Sequence, residues 1–554
     1  MVFTSPAWVP QLPIDPPDSI SLHDFMATEN FGRLPFSESR HPFTCGLTGK
    51  TYSALEARQR ADFLARSIAK KLDFAPNEGV EWDKIDTFSV TQAVHRLSGI
   101  VTPASAAYSA GELEHQLRSS GAKALFTCTT LIDRAVKAAE AVGISRDHIF
   151  LLETPVDSKG LKFTTVDELI HHGATLPALE SLNWAKGQGA RQVAYLCYSS
   201  GTSGLPKAVM ISHRNVIANV LQISAFDSVS RQKLGIKTQA CLGVLPFSHI
   251  YGLLIISYAS TLFYLRSKKY QIALLFVVPP IIIRITRNEA LCAKYDLRSV
   301  RYVYTGAAPL GSEVVDELRR QYPKWRVGQG YGLTETCTVV CTTSELDIDD
   351  GSSGSIVPGA RAMLVDIETG DEITEYNKPG ELLVQSPSLA LGYLNNQKAT
   401  AETFIWRTDG RWIRTGDEVL VRKAASGNEH LVIVDRLKEL IKVNGHQVAP
   451  AELEAHLLGH DLVSDCAVIQ VSDHRSGEVP KAYVVKSEKC DGLSDENIVR
   501  AICQHVETHK AKHKWLRGGV EFIDIIPKSP SGKILRRQLR DKEREAKKQS
   551  QAKL

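Results

Sequence analysis

Between Ala54 and Gly380, short β-prone runs alternate with helix-length segments, and this alternation limits the possible folds more than any other feature of the chain. Ala124–Thr127, His148–Leu152, Leu242–Leu245, Leu275–Val278 and Val300–Tyr304 read as strands, separated by amphipathic stretches such as Ala54–Leu72 and Gly311–Gln321. Strands separated by helices are joined by crossovers, so the pattern implies parallel sheets covered by helices. With 554 residues the chain exceeds what one core accommodates, and at least two domains are expected.

From Gly380 the texture changes to shorter strands and turns, including Gly380–Val384 and His430–Val434. After Asp435 a new unit begins, with a helix expected over Ala449–Leu458 and strands over Asp465–Val471 and Ala482–Lys486. The boundary is placed at Asp435–Lys438, giving domains 1–435 and 436–554. The mixed charges from Lys533 to Lys548 read as a solvated helix.

A net charge of +4 is small for this length and gives no reason to expect a nucleic-acid partner. Ten cysteines without a CxxC pair suggest neither a disulfide framework nor a zinc site, and a reducing compartment fits. The proline-rich Met1–Pro17 lacks the layout of a signal peptide. The apolar runs Leu253–Leu265 and Ile272–Ile283 are too short and too interrupted to span a membrane, so they read as buried core.

After the β-prone Val193–Tyr198 comes Ser199, Ser200, Gly201, Thr202, Ser203, Gly204, Leu205, Pro206 and Lys207, followed by helix-compatible sequence from His213. Crowded backbone N–H groups with hydroxyls and a lysine beside them suit phosphate oxygens. The spacing is not that of a P-loop kinase or ATPase.

Further motifs follow in the order Leu245-Pro246-Phe247-Ser248-His249-Ile250-Tyr251-Gly252, Tyr304-Thr305-Gly306-Ala307-Ala308-Pro309-Leu310, and Gln329-Gly330-Tyr331-Gly332-Leu333-Thr334-Glu335. Then come Arg414-Thr415-Gly416-Asp417, Asp435-Arg436-Leu437-Lys438-Glu439-Leu440-Ile441-Lys442, and Pro527-Lys528-Ser529-Pro530-Ser531-Gly532-Lys533. With the 198–207 run, this series resembles the adenylate-forming superfamily, in particular fungal acyl- or aryl-CoA ligases similar to 4-coumarate-CoA ligase and firefly luciferase. The resemblance covers nearly the whole chain. It implies an α/β fold with a large N-terminal domain of stacked, helix-covered sheets, a β-barrel-like subdomain, and a small mobile α+β C-terminal domain.

The activity implied is ATP-dependent activation of a carboxylic acid as acyl-AMP, with release of pyrophosphate, and transfer of the acyl group to CoA. The 199–207 loop would hold the β- and γ-phosphates, Thr334 would touch the α-phosphate, and Glu335 would help to hold Mg²⁺. Gly330 and Tyr331 would lie at the nucleotide, with Tyr331 near the adenine, Asp417 at the ribose hydroxyls and Arg436 nearby. Lys533 would bridge the attacking carboxylate and the α-phosphate. The small domain would then turn about Lys438, bringing Lys442, Gln447 and the Gly445 turn to the nucleotide for thiolation.

His249, Tyr251, Ile255, Gly306, Gly330, Val339 and Val340 match positions expected to line or approach the acyl pocket. They are mostly apolar or small, which favours medium-chain fatty, phenylacetate-like or polyketide-derived acids over a para-hydroxylated one. The segments near 82–100 and 254–278 are shorter than in relatives. Two other readings stand beside the ligase: an adenylating enzyme serving a carrier protein or oxygenating its acyl group, and a degenerate acyl or nucleotide binder. The terminal Ala552-Lys553-Leu554 is close to the peroxisomal Ser-Lys-Leu address, implying an import receptor as partner and a peroxisomal rather than cytoplasmic location. Lipid or secondary metabolism is the implied setting.

Overall fold

Strands Ala240–Gly243, Ile272–Val277, Tyr302–Thr305 and Arg326–Tyr331 stand side by side and parallel, as the alternation implies. Cys341–Thr342 and Ser355–Ile356 extend this sheet antiparallel. Within Ile272–Val277, Leu275 and Val277 pack into one cluster with Val314, Val315 and Leu318 of the Ser312–Gln321 helix. Leu274 and Phe276 enter the main core on the other face. A strand alternates its side chains, so burial on both faces demands an unbroken apolar run. The computed structural model describes residues 1–554 except 13, 34, 37–42, 46–48, 78–87, 153–161, 200–205, 261–270, 445, 474, 530–531 and 552–554.

The segment around the phosphate-type run differs from the expected strand, loop and helix. Val193–Ser199 and Lys207–Ser212 pair antiparallel, with Gly392–Tyr393 on the outer side of the second strand. Lys207 therefore opens a strand, and a hairpin replaces the simple strand-to-helix turn. Ala208-Val209-Met210-Ile211 is a short apolar run bounded by polar residues, which suits a central strand. The His213–Lys233 helix follows at once, started by a reciprocal cap: Asn215 N–H donates to Ser212 Oγ at 3.2 Å, and Ser212 N–H to Asn215 Oδ1 at 2.9 Å. Ser200, Gly201, Thr202, Ser203 and Gly204 lie outside the described residues.

A curled antiparallel sheet comprises Val2–Phe3, Arg361–Val365, Gly380–Gln385, Phe404–Arg407, Gly410–Lys423 and Glu429–Arg436. The strands here are not uniformly short, because Gly410–Lys423 runs for 14 residues. Its length is accommodated by a register shift at Glu418/Val419, which bends the strand.

The last part of the chain has a core of its own, including Ile441, Val443, Leu453, Leu457, Val468, Val484, Ile498, Ile502 and Val506. Val463–Asp473 pairs with Gly477–Lys486 along its length, and helices Pro450–Leu458 and Asp495–His509 supply apolar faces to this core. The first helix begins one residue later than expected because Pro450 takes the first helical position. The Arg536–Gln551 helix is not wholly solvated, since Arg536 and Leu539 are buried. The Arg536 guanidinium donates to Glu439 and Glu454, both at 2.6 Å, tying the chain after the large domain to the tail helix. Among the described residues no helix is long and apolar enough to cross a membrane.

Candidate active site

Asp417 is positioned by backbone and cross-strand geometry together. Gly416 takes a φ of +69°, a conformation that glycine adopts without a Cβ penalty, and Thr415 Oγ1 accepts the Asp417 N–H at 3.2 Å. Asp417 and Arg436 are direct partners on adjacent strands, with Arg436 Nε 3.3 Å from Asp417 Oδ1. Tyr331 donates its hydroxyl to Asp417 Oδ2 at 2.6 Å, joining the end of the parallel sheet to the curled one. Burial raises the Asp417 carboxyl above its ordinary range, opposed by Arg436, the Tyr331 hydroxyl and Lys533. Burial alone would lower the Arg436 guanidinium, but Asp417 and Glu439 hold it above its usual value.

Lys533 reaches this centre from the small domain. Its turn is closed by Gly532 N–H to Ser529 C=O at 2.8 Å, and Ser529 N–H to Lys533 C=O at 2.8 Å. Gly532 has a φ of +81°, and a Cβ there would lie 3.2 Å from Pro280 and Val278, so the turn seats against the start of the Pro279–Arg287 helix. Burial and the neighbouring Arg436 push the Lys533 amine down to about 8. His249 is pushed down to about 4, first by burial and then by Lys533. Its Nδ1 accepts the Tyr251 N–H at 3.2 Å, so the neutral ring carries its proton on Nε2. Two cations thus share a desolvated region with Asp417, an arrangement that favours an incoming anion.

Glu335 belongs to the single turn Thr334–Thr336, where Thr334 is half-buried. The Tyr393 hydroxyl donates to Glu335 Oε1 at 2.8 Å, and the Lys207 ammonium sits 4.9 Å above the Tyr393 ring. Tyr393 thereby links Lys207 to Glu335, a role that the sequence reading missed. Its only local mark is the Gly392-Tyr393 pair before the Asn395-Asn396 turn, and nothing in that mark points to Glu335. Asn219 was missed too: its amide brackets Val339, donating to the C=O at 2.8 Å and accepting the N–H at 3.0 Å.

Tyr251, Ile255, Val339 and Val340 are buried. Ile255 lies in Gly252–Ala259, a buried π-helical segment, a form often found at functional sites. Tyr251 donates its hydroxyl to the Tyr304 C=O at 3.3 Å. A Cβ on Gly306 would lie 3.1 Å from the Gly330 C=O and 3.8 Å from the Tyr251 ring, so these three positions adjoin.

A Cβ on Gly330 would meet the Tyr304 hydroxyl at 1.8 Å, and that hydroxyl is hydrogen-bonded to Thr342 Oγ1 at 2.7 Å. Gly330→Ala is expected to displace Tyr304 and cost about 1–3 kcal/mol. Denaturant unfolding measures this, and adding Tyr304→Phe should recover part of the loss.

Lys442 and Gln447 face each other across the Ile441–Val443 and His446–Val448 hairpin, and both are exposed. Gly445 lies outside the described residues. Lys438 is exposed in the turn after Arg436, where Glu439 N–H and Leu440 N–H donate to the Arg436 C=O at 2.9 and 3.1 Å. Of the segments expected to be shortened, residues 82–87 and 261–270 lie outside the described residues.

The family model described as AMP-binding enzyme matches residues 38–394, and that of the AMP-binding enzyme C-terminal domain matches 452–533. The acyl-CoA ligase AFT1-1 of Alternaria alternata is 40% identical over 572 aligned positions, covering 98% of this chain and 97% of that protein. The acyl-CoA ligase easD of Emericella nidulans is 35% identical over 573 positions, covering 98% of this chain and 100% of its own. Both alignments are longer than the 554-residue chain, so these relatives carry residues that this chain lacks. Among solved structures, the anthranilate CoA ligase AuaEII in complex with anthranoyl-AMP shares the fold, with a TM-score of 0.76 at 21% identity, covering 96% of this chain and 98% of that one.

Proposed function

The chain belongs to the AMP-binding enzyme family, and from that premise we propose how its residues carry out acyl-CoA ligation and which acids it takes. It is an ATP-dependent acyl-CoA ligase that activates a carboxylic acid through an acyl-AMP intermediate, with CoA as co-substrate.

In the first half-reaction an acid carboxylate oxygen bonds to the α-phosphorus of ATP while the bond to the pyrophosphate oxygen breaks. The acid is already ionised, so no general base is needed. Lys533 stabilises the negative charge on the attacking and α-phosphate oxygens. Asp417 retains lone pairs beyond those used by Tyr331 and Arg436, and these accept the ribose hydroxyls. Lys207 and the hydroxyl-rich run before it hold the outer phosphates, and Thr334 meets the α-phosphate. Glu335 has one oxygen held by Tyr393 and another left as a hard donor, which fits Mg²⁺, an ion that neutralises phosphate charge. The small domain then turns about Lys438, withdrawing Lys533 and presenting Lys442 and Gln447. Such a movement keeps water from the acyl-adenylate.

For the acid, the carrying observation is the spent hydroxyl of Tyr251. It is committed to the Tyr304 C=O, and Ile255, Gly306, Gly330, Val339 and Val340 add no polar side-chain group, which leaves the His249 Nε2–H as the polar group among the expected lining residues. An apolar acid is therefore favoured, either a medium-chain fatty acid or an arylalkanoic acid. Across a panel of acids, kcat/KM for acyl-CoA formation should rise about fourfold per added methylene, from roughly 0.8 kcal/mol each, until the pocket is full. Preference for a para-hydroxylated acid or a dicarboxylate would overturn this assignment. We propose that Ala552-Lys553-Leu554 is read by a peroxisomal import receptor; a fluorescent fusion ending in these residues should enter peroxisomes and stay in the cytosol without them.

A further inference from the structure

The small domain carries an imidazole cluster that the acyl-transfer chemistry leaves unused. His456 lies on the Pro450–Leu458 helix and His460 follows just beyond its end, while His505 and His509 share one face of the Asp495–His509 helix. The His456 and His505 rings stack with centroids 4.1 Å apart and planes at 7°. His509 lies 5.3 Å from His456 and 5.1 Å from His505, and His460 is 4.9 Å from His505. One ring nitrogen from each of His456, His505 and His509 lies within 4.8 Å of the others.

Backbone carbonyls fix the tautomers. His456 Nε2 donates to the His505 C=O at 3.3 Å, His505 Nε2 to the His456 C=O at 3.3 Å, and His509 Nδ1 to the His505 C=O at 2.8 Å. A carbonyl only accepts, so each of these nitrogens carries the proton. The lone pairs are left on Nδ1 of His456 and His505 and on Nε2 of His509. Metal-bound histidines are held in this way, one nitrogen on a carbonyl and the other on the ion.

The charged surroundings are mixed. Glu313 of the large domain and Asp461 favour positive charge at the cluster, and Lys510 opposes it. Lys510 is itself paired with Glu452, 3.1 Å away. Glu454, two residues before His456 and so on the opposite side of the helix, is occupied with Arg536.

We propose that His456, His505 and His509, with water as the fourth ligand because His460 Nδ1 already accepts the Leu462 N–H at 3.2 Å, form a binding site for a borderline divalent transition-metal ion such as Zn²⁺. An all-imidazole donor set suits Zn²⁺, Cu²⁺ or Ni²⁺ and not Mg²⁺ or Ca²⁺, so this site does not compete for the ion expected at Glu335. Ligand nitrogens point along their ring planes, so binding requires the stacked His456 and His505 rings to tilt out of parallel until three nitrogens close to tetrahedral spacing around the ion. Bound there, the ion cross-links the two helices that cover the small domain's sheet and so stabilises the folded state by mass action.

The test uses the full-length, tag-free chain, titrated with Zn²⁺ against a chromophoric chelator and with Co²⁺ for its absorption spectrum. One equivalent of Zn²⁺, intense tetrahedral Co²⁺ bands and a higher Tm in Zn²⁺ are expected. His505→Ala should weaken Zn²⁺ affinity by at least about a hundredfold and abolish the Tm rise. His509→Gln, at an exposed position, should do the same and keeps the proposal testable if the first variant folds poorly. ATP–pyrophosphate exchange without Zn²⁺ should be unchanged in both. Binding that persists in both variants, that is lost on thiol alkylation instead, or that is weak and multivalent would overturn the site.

Discussion

Lys533→Ala slows acyl-AMP formation by about a hundred- to a thousandfold, the range seen when one preorganised charge stabiliser is removed. Carboxylate-dependent ATP–pyrophosphate exchange measures that loss. Transfer of the acyl group from preformed acyl-AMP to CoA should change by no more than a few-fold if Lys533 withdraws after adenylation as proposed. The structure captures the small domain with Lys533 in place, its turn seated on Pro280 and Val278 and its charge felt by His249 and Asp417. The same burial makes the lysine titratable near neutrality. Its amine is lowered to about 8, so the free enzyme carries the ammonium below that pH and loses it above. The kcat/KM for ATP in the adenylation step should therefore fall as pH rises through about 8. The corresponding limb of kcat should lie at higher pH, since the bound phosphates favour the ammonium. In Lys533→Ala the alkaline limb near 8 should vanish, which separates loss of this charge from a general defect.

Asp417→Asn lowers kcat/KM for ATP by about a hundredfold, as expected when hydrogen bonds to a charged acceptor worth roughly 3 kcal/mol are removed. KM for CoA should be unaffected. The substitution keeps the size of the side chain but leaves Arg436 without its direct counter-charge; because the Arg436 side chain is a third exposed, solvent screens part of that loss and the cost is about 1 kcal/mol. A lower unfolding midpoint is thus expected alongside the kinetic loss. Asp417→Asn with Arg436→Gln should regain stability without regaining ATP use, because the stranded charge is gone while the acceptor is still missing. Equal recovery of both would mean that Asp417 acts only as an ion-pair partner.

The centre of the parallel sheet was legible because Leu274 to Val277 is an unbroken apolar run buried on both faces. Arg326–Tyr331 was not read as a strand, since Arg326, Gly328, Gln329 and Gly330 interrupt its apolar pattern. The Lys207–Ser212 strand was not legible either. A four-residue apolar run before a helix cap fits a strand or a helix start, and only the pairing with Val193–Ser199 on one side and the distant Gly392–Tyr393 on the other decides it. The length of Gly410–Lys423 was hidden for a related reason: a register shift breaks its alternation at Glu418/Val419. At the site, Tyr331, Asp417, Arg436 and Lys533 were marked by short local motifs, and the fold brings them together from four segments. Tyr393 and Asn219 act through partners distant in sequence, Glu335 and Lys207 for the first and Val339 for the second, which no local pattern announces. The four histidines were equally silent, since helical spacing relates each pair but nothing in the sequence says that the two helices face each other.

The most direct test of the central claim is a rapid-quench single turnover with the preferred acid and ATP, first without CoA and then with CoA added as a chase. Acyl-AMP and pyrophosphate should form in amounts matching the enzyme, followed by conversion of the acyl-AMP to acyl-CoA. Folded, ATP-binding enzyme that forms no acyl-AMP with any acid, or forms one that CoA never consumes, would contradict it.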